Sequence, residues 1–351
     1  MINVETEVIK NFYYMLSYAY KSLEKEGFNN LVNEEFDNIY DLFAAILNLA
    51  VPHLLKQGLY KKYKNLDDDL STLKGKIDVQ KSISLIVQNK RKLNCEFDEL
   101  TVDNELNQII KATVKILIFA KEVKSSNKKG LKRSLLFFNE ISELDLSSIN
   151  WGRIQYNRNN QTYKLIINLC YMVIQKYIAL NESGTQLMNN FVDEQTMDKL
   201  YEKFLIKYIM KHYPQYKVRS KEIKWLIEGE ENAGIDFLPK MQSDILISHK
   251  SKHLVIDAKY YGDVLQTHHR TDQEKVRSNH LYQIYSYVKN LDVYKNGEVS
   301  GALFYALIKD QQVPKLDYII EGNKISVRTI DLNKPFYHIT KQINSFIDDW
   351  R

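Results

Sequence analysis

Few cysteines, few prolines and no long apolar run limit what this chain of 351 residues can be. Its two cysteines, Cys95 and Cys170, lie far apart, which excludes a cysteine-rich zinc site and is typical of the reducing cytoplasm. No apolar run approaches the roughly 18 residues of a membrane span, and the amino terminus lacks a signal-peptide pattern. We therefore expect a cytoplasmic protein with no membrane contact.

Strong positive charge and a nucleotide-binding loop are also missing. A formal charge of +5 permits contact with nucleic acid but does not by itself give tight binding, which needs many phosphate contacts. Glycine-lysine pairs occur, as in 73–77, yet nothing matches G-x-x-x-x-G-K-[ST]. If the activity depends on NTP hydrolysis, another subunit must supply it.

Proline scarcity and hydrophobic periodicity predict a mostly helical first half. No proline lies between Pro52 and Pro214, which favours long helices there. The pattern predicts helices over 11–23, 37–55 (interrupted or stopped near Pro52), 104–121, 134–141 and 163–180, and strands within 75–79 and 93–97. A polar boundary at 181–185 predicts two domains, 1–184 with a β region near 61–100, and 185–351.

The second half alternates between the helical and strand periods, so the chain as a whole is expected to be α+β/α/β. Its pattern predicts helices over 196–212, 278–290 and 336–350, strands over 222–228, 244–248, 253–260 and 301–307, and a final pair of strands before the last helix. The densest basic run, Lys121–Arg133, is either a solvated connection between helices or a phosphate-binding patch.

The most informative segment is a predicted hairpin that carries charges at the ends of apolar strands. Asp244 opens the first strand, and Asp257-Ala258-Lys259 closes the second. Because side chains alternate along a strand, Asp257 and Lys259 point to the same face. Buried charges are costly unless they are paired or bound to metal. The hairpin therefore indicates a nuclease with a metal site, although a surface hairpin with a salt bridge is the plainer alternative.

If the chain hydrolyses phosphodiesters, each of these residues has a candidate role in the reaction. Asp244, Asp257 and the backbone carbonyl of Ala258 are candidate ligands for Mg²⁺, with Mn²⁺ as an alternative ion. Lys259 would lie beside the attacking water and the phosphate. Glu202, on a predicted helix, would meet the metal or Lys259, or else pair with Lys203 or Lys207 at the surface.

Further candidates follow the hairpin. Gln283 and Tyr287 are one helical turn apart and would contact the metal-bound water or the DNA backbone, while Tyr287 equally fits a core stripe with Ile284 and Val288. His268, His269 and His280 show no zinc-ligand spacing and are expected in loops rather than as ligands. 

These positions together resemble the PD-(D/E)XK nuclease superfamily. Glu202 matches its helix acid, Asp244 its first strand acid, Asp257-Ala258-Lys259 its core motif and Gln283–Tyr287 the Q-x-x-x-Y element of a subset. Further segments resemble the McrC family, the nuclease subunit of McrBC modification-dependent restriction: 11–20, 75–78, 97–100, 103–104, 107–111, 238–245, 255–261 and 279–283.

The resemblance implies a two-component machine. A mixed central sheet flanked by helices would form the PD-(D/E)XK domain, with Asp244, Asp257 and Lys259 in its site. The partner would be a McrB-like AAA+ GTPase hexamer that binds GTP and recognises methylated cytosine in double-stranded DNA. The amino-terminal part would bind this ring and stimulate GTP hydrolysis, with the basic region near 61–100 as the candidate for insertion. The rivals are a GTPase-activating adaptor with a vestigial nuclease site and a stand-alone repair or recombination nuclease.

Overall fold

The computed structural model describes residues 4–20, 31, 34, 36, 38–183, 194–227, 235–260, 265–267, 274–307 and 315–350. Its contacts divide the chain into two units, one of Met1–Leu42 with Leu187–Arg351 and the other of Phe43–Gln186. This division differs from the predicted boundary at 184 because the first 42 residues join the carboxy-terminal unit.

The Phe43–Gln186 unit is mostly helical and contains one small sheet, in agreement with the predicted fold class. Its helices are α2 (Ile39–Gln57, which begins in the other unit), α3 (Val79–Val87), α4 (Glu105–Phe119), α5 (Ser125–Leu135) and α6 (Tyr163–Ser183). Its strands are β1 (Lys62–Leu70), β2 (Lys76–Ile77) and β3 (Leu93–Thr101), in the antiparallel order β1-β3-β2. Three short 3-10 turns lie between α5 and α6.

Local chemistry explains where the elements of this sheet begin. Gly75 has φ +71°, and a Cβ there would collide with the carbonyl oxygen of Glu96, so the turn before β2 requires glycine. Asp78 caps α3 by accepting a hydrogen bond from the backbone N–H of Lys81 over 3.0 Å. Asn104 caps α4 in the same way. Neither β1 nor α3 was predicted from the sequence.

Two other segments of this unit differ from the sequence predictions. Helix α2 continues through Pro52 to Gln57, and the basic run Lys121–Arg133 forms most of α5 rather than a connection. Among the described residues, α2 is also the one helix with the length and composition of a membrane span, although 61% of that window is buried inside the protein. Such burial is typical of a core helix.

The other unit is built on a six-stranded mixed sheet, as predicted. Its strands are β4 (Lys217–Ile223), β5 (Met241–His249), β6 (Lys252–Lys259), β9 (Val299–Leu307), β10 (Leu316–Ile320) and β11 (Asn323–Asp331). The spatial order is β10-β11-β9-β6-β5-β4. Strands β6, β9 and β11 are parallel, and the outer pairings are antiparallel. A short hairpin of β7 (Leu265–Thr267) and β8 (Glu274–Val276) follows β6.

Helices cover both faces of this sheet. Helices α7 (Glu194–His212), α8 (Ser278–Leu291) and α9 (Phe336–Trp350) contact its strands, and α1 (Val4–Ala19) packs against α7 and α9. Helix α8 connects β6 to the parallel β9 and packs Ile284 and Val288 on one face. On the other face, the ring of Phe304 meets that of Phe346 of α9 at 4.9 Å.

Helix α1 joins this unit through contacts far away in sequence. The side-chain amide of Asn11 donates to the carbonyls of Leu332 and Lys334, each over 2.8 Å. The ring of Tyr14 stacks on Phe336, with centroids 4.2 Å apart. These contacts hold α1 to the end of β11 and to α9, which explains why residues 1–42 do not group with the rest of the first half.

Candidate active site

The predicted hairpin brings its two acidic residues to one end of the central sheet. Ile245 of β5 pairs with Ile256 of β6, and continuing this antiparallel register sets Asp244 opposite Asp257. The backbone N–H of Ala258 donates to Oδ2 of Asp244 over 2.8 Å. Strand alternation places both carboxylates on the face of the sheet that α8 covers.

Asp257 is fully buried beside Lys259. Nζ of Lys259 lies 3.0 Å from Oδ2 of Asp257, and the two side chains are 15% and 1% exposed. Hydrogen bonding with Lys259 and with Asp244 lowers the pKa of Asp257, and in the part of the chain that the structure describes no further donor is aligned with its two oxygens. A buried carboxylate in this condition is costly, and a bound cation would remove much of that cost.

The two aspartates hold more negative charge than Lys259 compensates. Burial, followed by the charge of Asp257, raises the pKa of Asp244 to about 7, against the N–H of Ala258 and the charge of Lys259. Burial also raises the pKa of Asp257, against its attraction to Lys259. One ammonium beside two carboxylates leaves an uncompensated charge near neutral pH.

This donor set fits Mg²⁺, a hard cation that prefers carboxylate, carbonyl and water oxygens. The described residues contain no group of three or more His, Cys, Asp or Glu side chains placed to hold a metal ion. A cation held by Asp244 and Asp257 would therefore take its other ligands from backbone carbonyls, such as that of Ala258, and from water or substrate. Such open positions are those that a hydrolytic site needs.

Glu202 lies on α7, half-buried, within electrostatic range of this pair. Burial first, then the charges of Asp244 and Asp198, raise its pKa to about 7, against the charges of Lys259 and Lys199. Of the two lysines considered as surface partners, Lys203 places its Nζ over the ring of Tyr20, 3.5 Å from the centroid. Two carboxylates and two lysines thus act on Glu202, and burial is the largest influence on its pKa.

Asp198 is an acidic neighbour that the sequence interpretation missed. Its Oδ1 accepts a hydrogen bond from the backbone N–H of Tyr260 over 2.6 Å, directly after Lys259. Its charge also acts on Asp257 and Glu202. The available signal was its spacing, because Asp198 precedes Glu202 by one helical turn and so shares its side of α7.

Gln283 and Tyr287 contact each other and the strand that carries Asp244. Nε2 of Gln283 lies 2.8 Å from the hydroxyl of Tyr287, which donates to the carbonyl of Gln242 over 3.1 Å. Tyr287 is also 6% exposed and packs in the core with Ile284 and Val288. The two interpretations of Tyr287 are therefore compatible, since its ring is core and its hydroxyl reaches β5.

The prediction that His280 lies in a loop is wrong. It lies in the first turn of α8, buried, and its Nδ1 is 2.9 Å from the hydroxyl of Tyr305 on β9. Burial, followed by Lys259 and Arg277, lowers its pKa to about 4, so the imidazole is neutral at pH 7. His268 and His269 lie outside the described residues.

The raised pKa values predict an unusual pH dependence of stability without metal. Asp244 and Glu202 have folded pKa values of about 7, above those of unfolded chains. Their contribution to stability is therefore fully present only below the unfolded pKa values of about 4, and it is lost as the pH rises from there through 7. In EDTA, we expect Asp244→Asn to melt about 2–4 °C above the wild type at pH 8 and less than that at pH 5.

Thermal unfolding with Mg²⁺ provides the second arm of this experiment. Mg²⁺ at pH 8 should raise the melting temperature of the wild type and leave that of Asp244→Asn unchanged. An equal Mg²⁺ effect on both proteins would show that the ion does not bind at this carboxylate pair.

Comparisons with known proteins agree over nearly the whole chain. The profile of the family described as "McrBC 5-methylcytosine restriction system component" matches residues 4–306. The chain is 28% identical over 343 residues to the "Type IV methyl-directed restriction enzyme EcoKMcrBC" of Escherichia coli (strain K12), covering 97% of each sequence.

A solved structure has the same fold. It is the "Refined half-complex from tetradecameric assembly of Thermococcus gammatolerans McrB AAA+ hexamers with bound McrC", with a TM-score of 0.51 and 18% identity. The match covers 98% of this chain and 76% of that chain.

Proposed function

The chain belongs to the family of McrBC 5-methylcytosine restriction system components, and we propose that it is the Mg²⁺-dependent DNA endonuclease subunit of such a system. Membership confirms the resemblance to McrC seen in the sequence motifs. The observation that carries the proposal is the pair of facing carboxylates, Asp244 and Asp257, whose pKa values burial raises, beside the single ammonium of Lys259. The substrate is double-stranded DNA that contains modified cytosine, and the location is the cytoplasm.

Asp244, Asp257 and the carbonyl of Ala258 would hold the Mg²⁺ ion, and Mn²⁺ suits the same oxygen donors. When bound, the ion would make a water more nucleophilic and offset the charge of the phosphate. Asp257 orients Lys259, whose ammonium adds positive charge where the phosphate develops negative charge. 

The remaining residues of the site exchange a proton, bind the DNA backbone or hold the strand that carries Asp244 in place. Glu202, with a pKa of about 7, can hold or release a proton near neutral pH. Tyr287 ties α8 to the carbonyl of Gln242 and so fixes the strand that carries Asp244. Gln283 holds the Tyr287 hydroxyl and presents its amide beside the site, where it can bind the DNA backbone.

The proposed partner is a McrB-like AAA+ GTPase hexamer, which would bind GTP and select the modified DNA. The absence of a G-x-x-x-x-G-K-[ST] motif in this chain and the McrB hexamers of the solved relative support this division of labour. The candidate docking region is the β region near 61–100. There, α3 exposes Val79, Ile83, Ile86 and Val87 by 65%, 56%, 60% and 79%.

An acidic replacement on the exposed side of α3 should uncouple the two subunits. We expect Ile83→Asp with Ile86→Asp to lower GTPase stimulation at least about tenfold, because charges placed in an apolar contact are desolvated without partners. GTP hydrolysis by the partner, titrated with this chain, measures the effect. Leu136→Asp, at a position 67% exposed elsewhere in the same unit, is the matched control. Equal stimulation by all three proteins would exclude α3 as the docking element.

The decisive experiment is plasmid cleavage with Mg²⁺. Methylated and unmethylated plasmids are incubated with this chain alone or with its GTPase partner, each with and without GTP. The proposal expects cutting of methylated DNA only when partner and GTP are both present. Cutting by the chain alone would identify a stand-alone nuclease, and GTPase stimulation without any cutting would identify an adaptor with a vestigial site.

A further inference from the structure

The positive charge of the chain is concentrated around one helix. From Lys121 to Phe137 there are six basic side chains and one acidic side chain, Glu122, which gives this segment a formal charge of +5. The whole chain of 351 residues also has a formal charge of +5, so its other residues sum to zero. Most of the segment forms α5. Positive charge clustered on an otherwise neutral chain indicates a binding surface for a polyanion.

Packing determines which side of α5 faces the protein. Leu131 and Ser134 are buried. A Cβ on Gly130 would lie 2.5 Å from Oδ1 of Asn48 on α2, so glycine permits this close approach. The side-chain amide of Asn48 also donates to the carbonyl of Asn127 over 2.9 Å. Residues 127, 130, 131 and 134 recur at helical spacing and form the inward side of α5.

The opposite side of α5 is basic. At roughly 3.6 residues per turn, the side chains of residues 128, 129, 132 and 133 project away from the inward side. Lys129, Lys132 and Arg133 are exposed, and Lys128 is partly exposed. We call these four residues the basic strip. Because the inward side is held by α2, the strip is presented on a fixed helix.

No described carboxylate neutralises the basic strip. On the preceding helix, α4, Nζ of Lys111 and Nζ of Lys115 lie 2.9 Å and 2.6 Å from Oε1 of Glu143. The side chains of the basic strip, in contrast, form no ion pair with any residue that the structure describes. Its members lie one helical turn from each other, and like charges at this spacing destabilise a helix. A bound polyanion would remove that cost.

The composition of the basic strip favours nucleic acid over an acidic protein surface. Three of its four residues are lysines, and lysine is depleted from protein–protein interfaces. In protein–DNA complexes, at least half of the hydrogen bonds go to phosphate and sugar, and lysine and arginine are common donors. Such contacts read no base. The strip therefore suits the backbone of DNA of any sequence.

We propose that the basic strip binds the phosphate backbone of the duplex substrate, whatever its sequence or methylation. This inference rests on the proposed endonuclease function. It adds a DNA contact on the Phe43–Gln186 unit, whereas Asp244 and Asp257 belong to the other unit. The contact adds affinity without selectivity, so the choice of modified DNA stays with the GTPase partner.

The salt dependence of DNA binding tests this proposal. The chain carries Asp257→Asn to prevent cutting and is assembled with the GTPase partner, a non-hydrolysable GTP analogue and labelled duplex. Fluorescence anisotropy gives the binding constant at several salt concentrations. Each phosphate contact adds about 0.9 to the slope of log K against log salt. Lys129→Gln with Lys132→Gln should therefore lower the slope by about 2 and weaken binding at least about tenfold, equally on methylated and unmethylated duplex.

A second pair of lysines provides the matched control. Lys334→Gln with Lys341→Gln removes the same charge at exposed positions before and within α9. This variant should keep the wild-type slope. Glutamine has nearly the helix propensity of lysine, and in α5 it removes like-charge neighbours, so the melting temperature of the strip variant should not fall. A wild-type slope in the strip variant, or an equal loss in the control, would overturn the proposal.

GTPase stimulation distinguishes DNA from the partner as the occupant of the strip. The strip variant should stimulate GTP hydrolysis as the wild type does. Reduced stimulation together with wild-type DNA affinity would identify the strip as a contact with the partner and refute the DNA contact. Cleavage of methylated DNA should slow at low concentrations of the complex and recover at saturation, because the strip binds phosphates other than the reacting one.

These measurements separate the inference from the proposed function. If the wild-type complex cuts no DNA, the endonuclease is rejected and the salt slope still decides whether the strip binds DNA. If the wild type cuts DNA and the strip variant keeps the wild-type slope, only the DNA contact at the strip is rejected.

Discussion

Asp257→Asn is expected to reduce DNA cleavage by at least about 100-fold while the protein keeps its fold and its GTPase stimulation. Asparagine preserves the shape of the side chain but removes the charge that would hold the cation and orient Lys259. Because Asp244 remains as a second carboxylate near Lys259, the lysine is not left without a counter-charge. Stability without metal should therefore change by less than about 1 kcal/mol, whereas breaking an isolated buried pair costs several.

A second buried aspartate provides the control for this experiment. Asp292, 4% exposed, accepts hydrogen bonds from Asn323 and from the backbone N–H groups of Asn296 and Gly297. Although burial opposes it, these bonds lower the pKa of Asp292. Asp292→Asn should therefore destabilise the unit and leave the rate constant of the folded complex nearly unchanged.

The two aspartates thus separate function from structure. Single-turnover cleavage and thermal unfolding, measured on both variants, give opposite patterns if Asp257 serves the reaction and Asp292 serves the fold. Loss of GTPase stimulation in Asp257→Asn would instead identify its site as structural.

The strands that carry the candidate site were the easiest elements to predict. The hairpin of β5 and β6 consists of apolar runs around a polar turn, and both runs are buried on two faces, so composition alone marks them as strands. Helix α9 was predicted with its observed bounds, Phe336–Trp350. Its buried residues, Ile339, Ile343, Phe346 and Ile347, recur at helical spacing.

Strand β4 shows why an edge strand is harder to predict from sequence than a central strand. The prediction of 222–228 is wrong, and the strand is Lys217–Ile223. It pairs on one side only, contains an irregularity between Arg219 and Lys221, and buries just Val218 and Ile223. The apolar run that suggested a strand, 225–227, is exposed instead. Hydrophobicity there does not mark a buried strand.

Local sequence patterns could not predict the contacts between residues far apart in the chain. Nothing in the sequence around Asn11 indicates that its amide binds the carbonyls after β11. The approach of Asp198 to the backbone of Tyr260 also depends on how α7 crosses the end of β6. Periodicity identifies the helix and its faces, while the contact partner is set by tertiary packing.

Gly301→Val is expected to lower the melting temperature by about 4–10 °C, because the added side chain would collide with the core of the sheet unit. Gly301 lies on β9 between Val255 and Ile325 of the neighbouring strands. A Cβ there would lie 2.7 Å from Cγ2 of Val288 and 2.9 Å from Cγ1 of Ile284. Helix α8 must therefore move away from the sheet or distort its core side chains.

The displacement of α8 should also affect the reaction. Gln283 and Tyr287 lie on this helix, and the hydrogen bond from Tyr287 to Gln242 spans 3.1 Å. We expect cleavage by the folded fraction of Gly301→Val to fall about tenfold, because small displacements of positioning residues are costly. Gly152→Val is the control, since the nearest atom to its added Cβ is 3.6 Å away. It should change stability and cleavage little.

A compensating substitution identifies the cause. Val288→Ala removes the methyl groups that the new side chain meets, at the cost of a small cavity when made alone. If collision with α8 is responsible, Gly301→Val with Val288→Ala should be more stable than the sum of the two single changes predicts, by about 1 kcal/mol or more. If the stability losses of the two single variants simply add in the double variant, the loss in Gly301→Val comes from the strand itself and not from collision with α8. If the double variant recovers both stability and cleavage, the packing of α8 against β9 positions Gln283 and Tyr287 for the reaction.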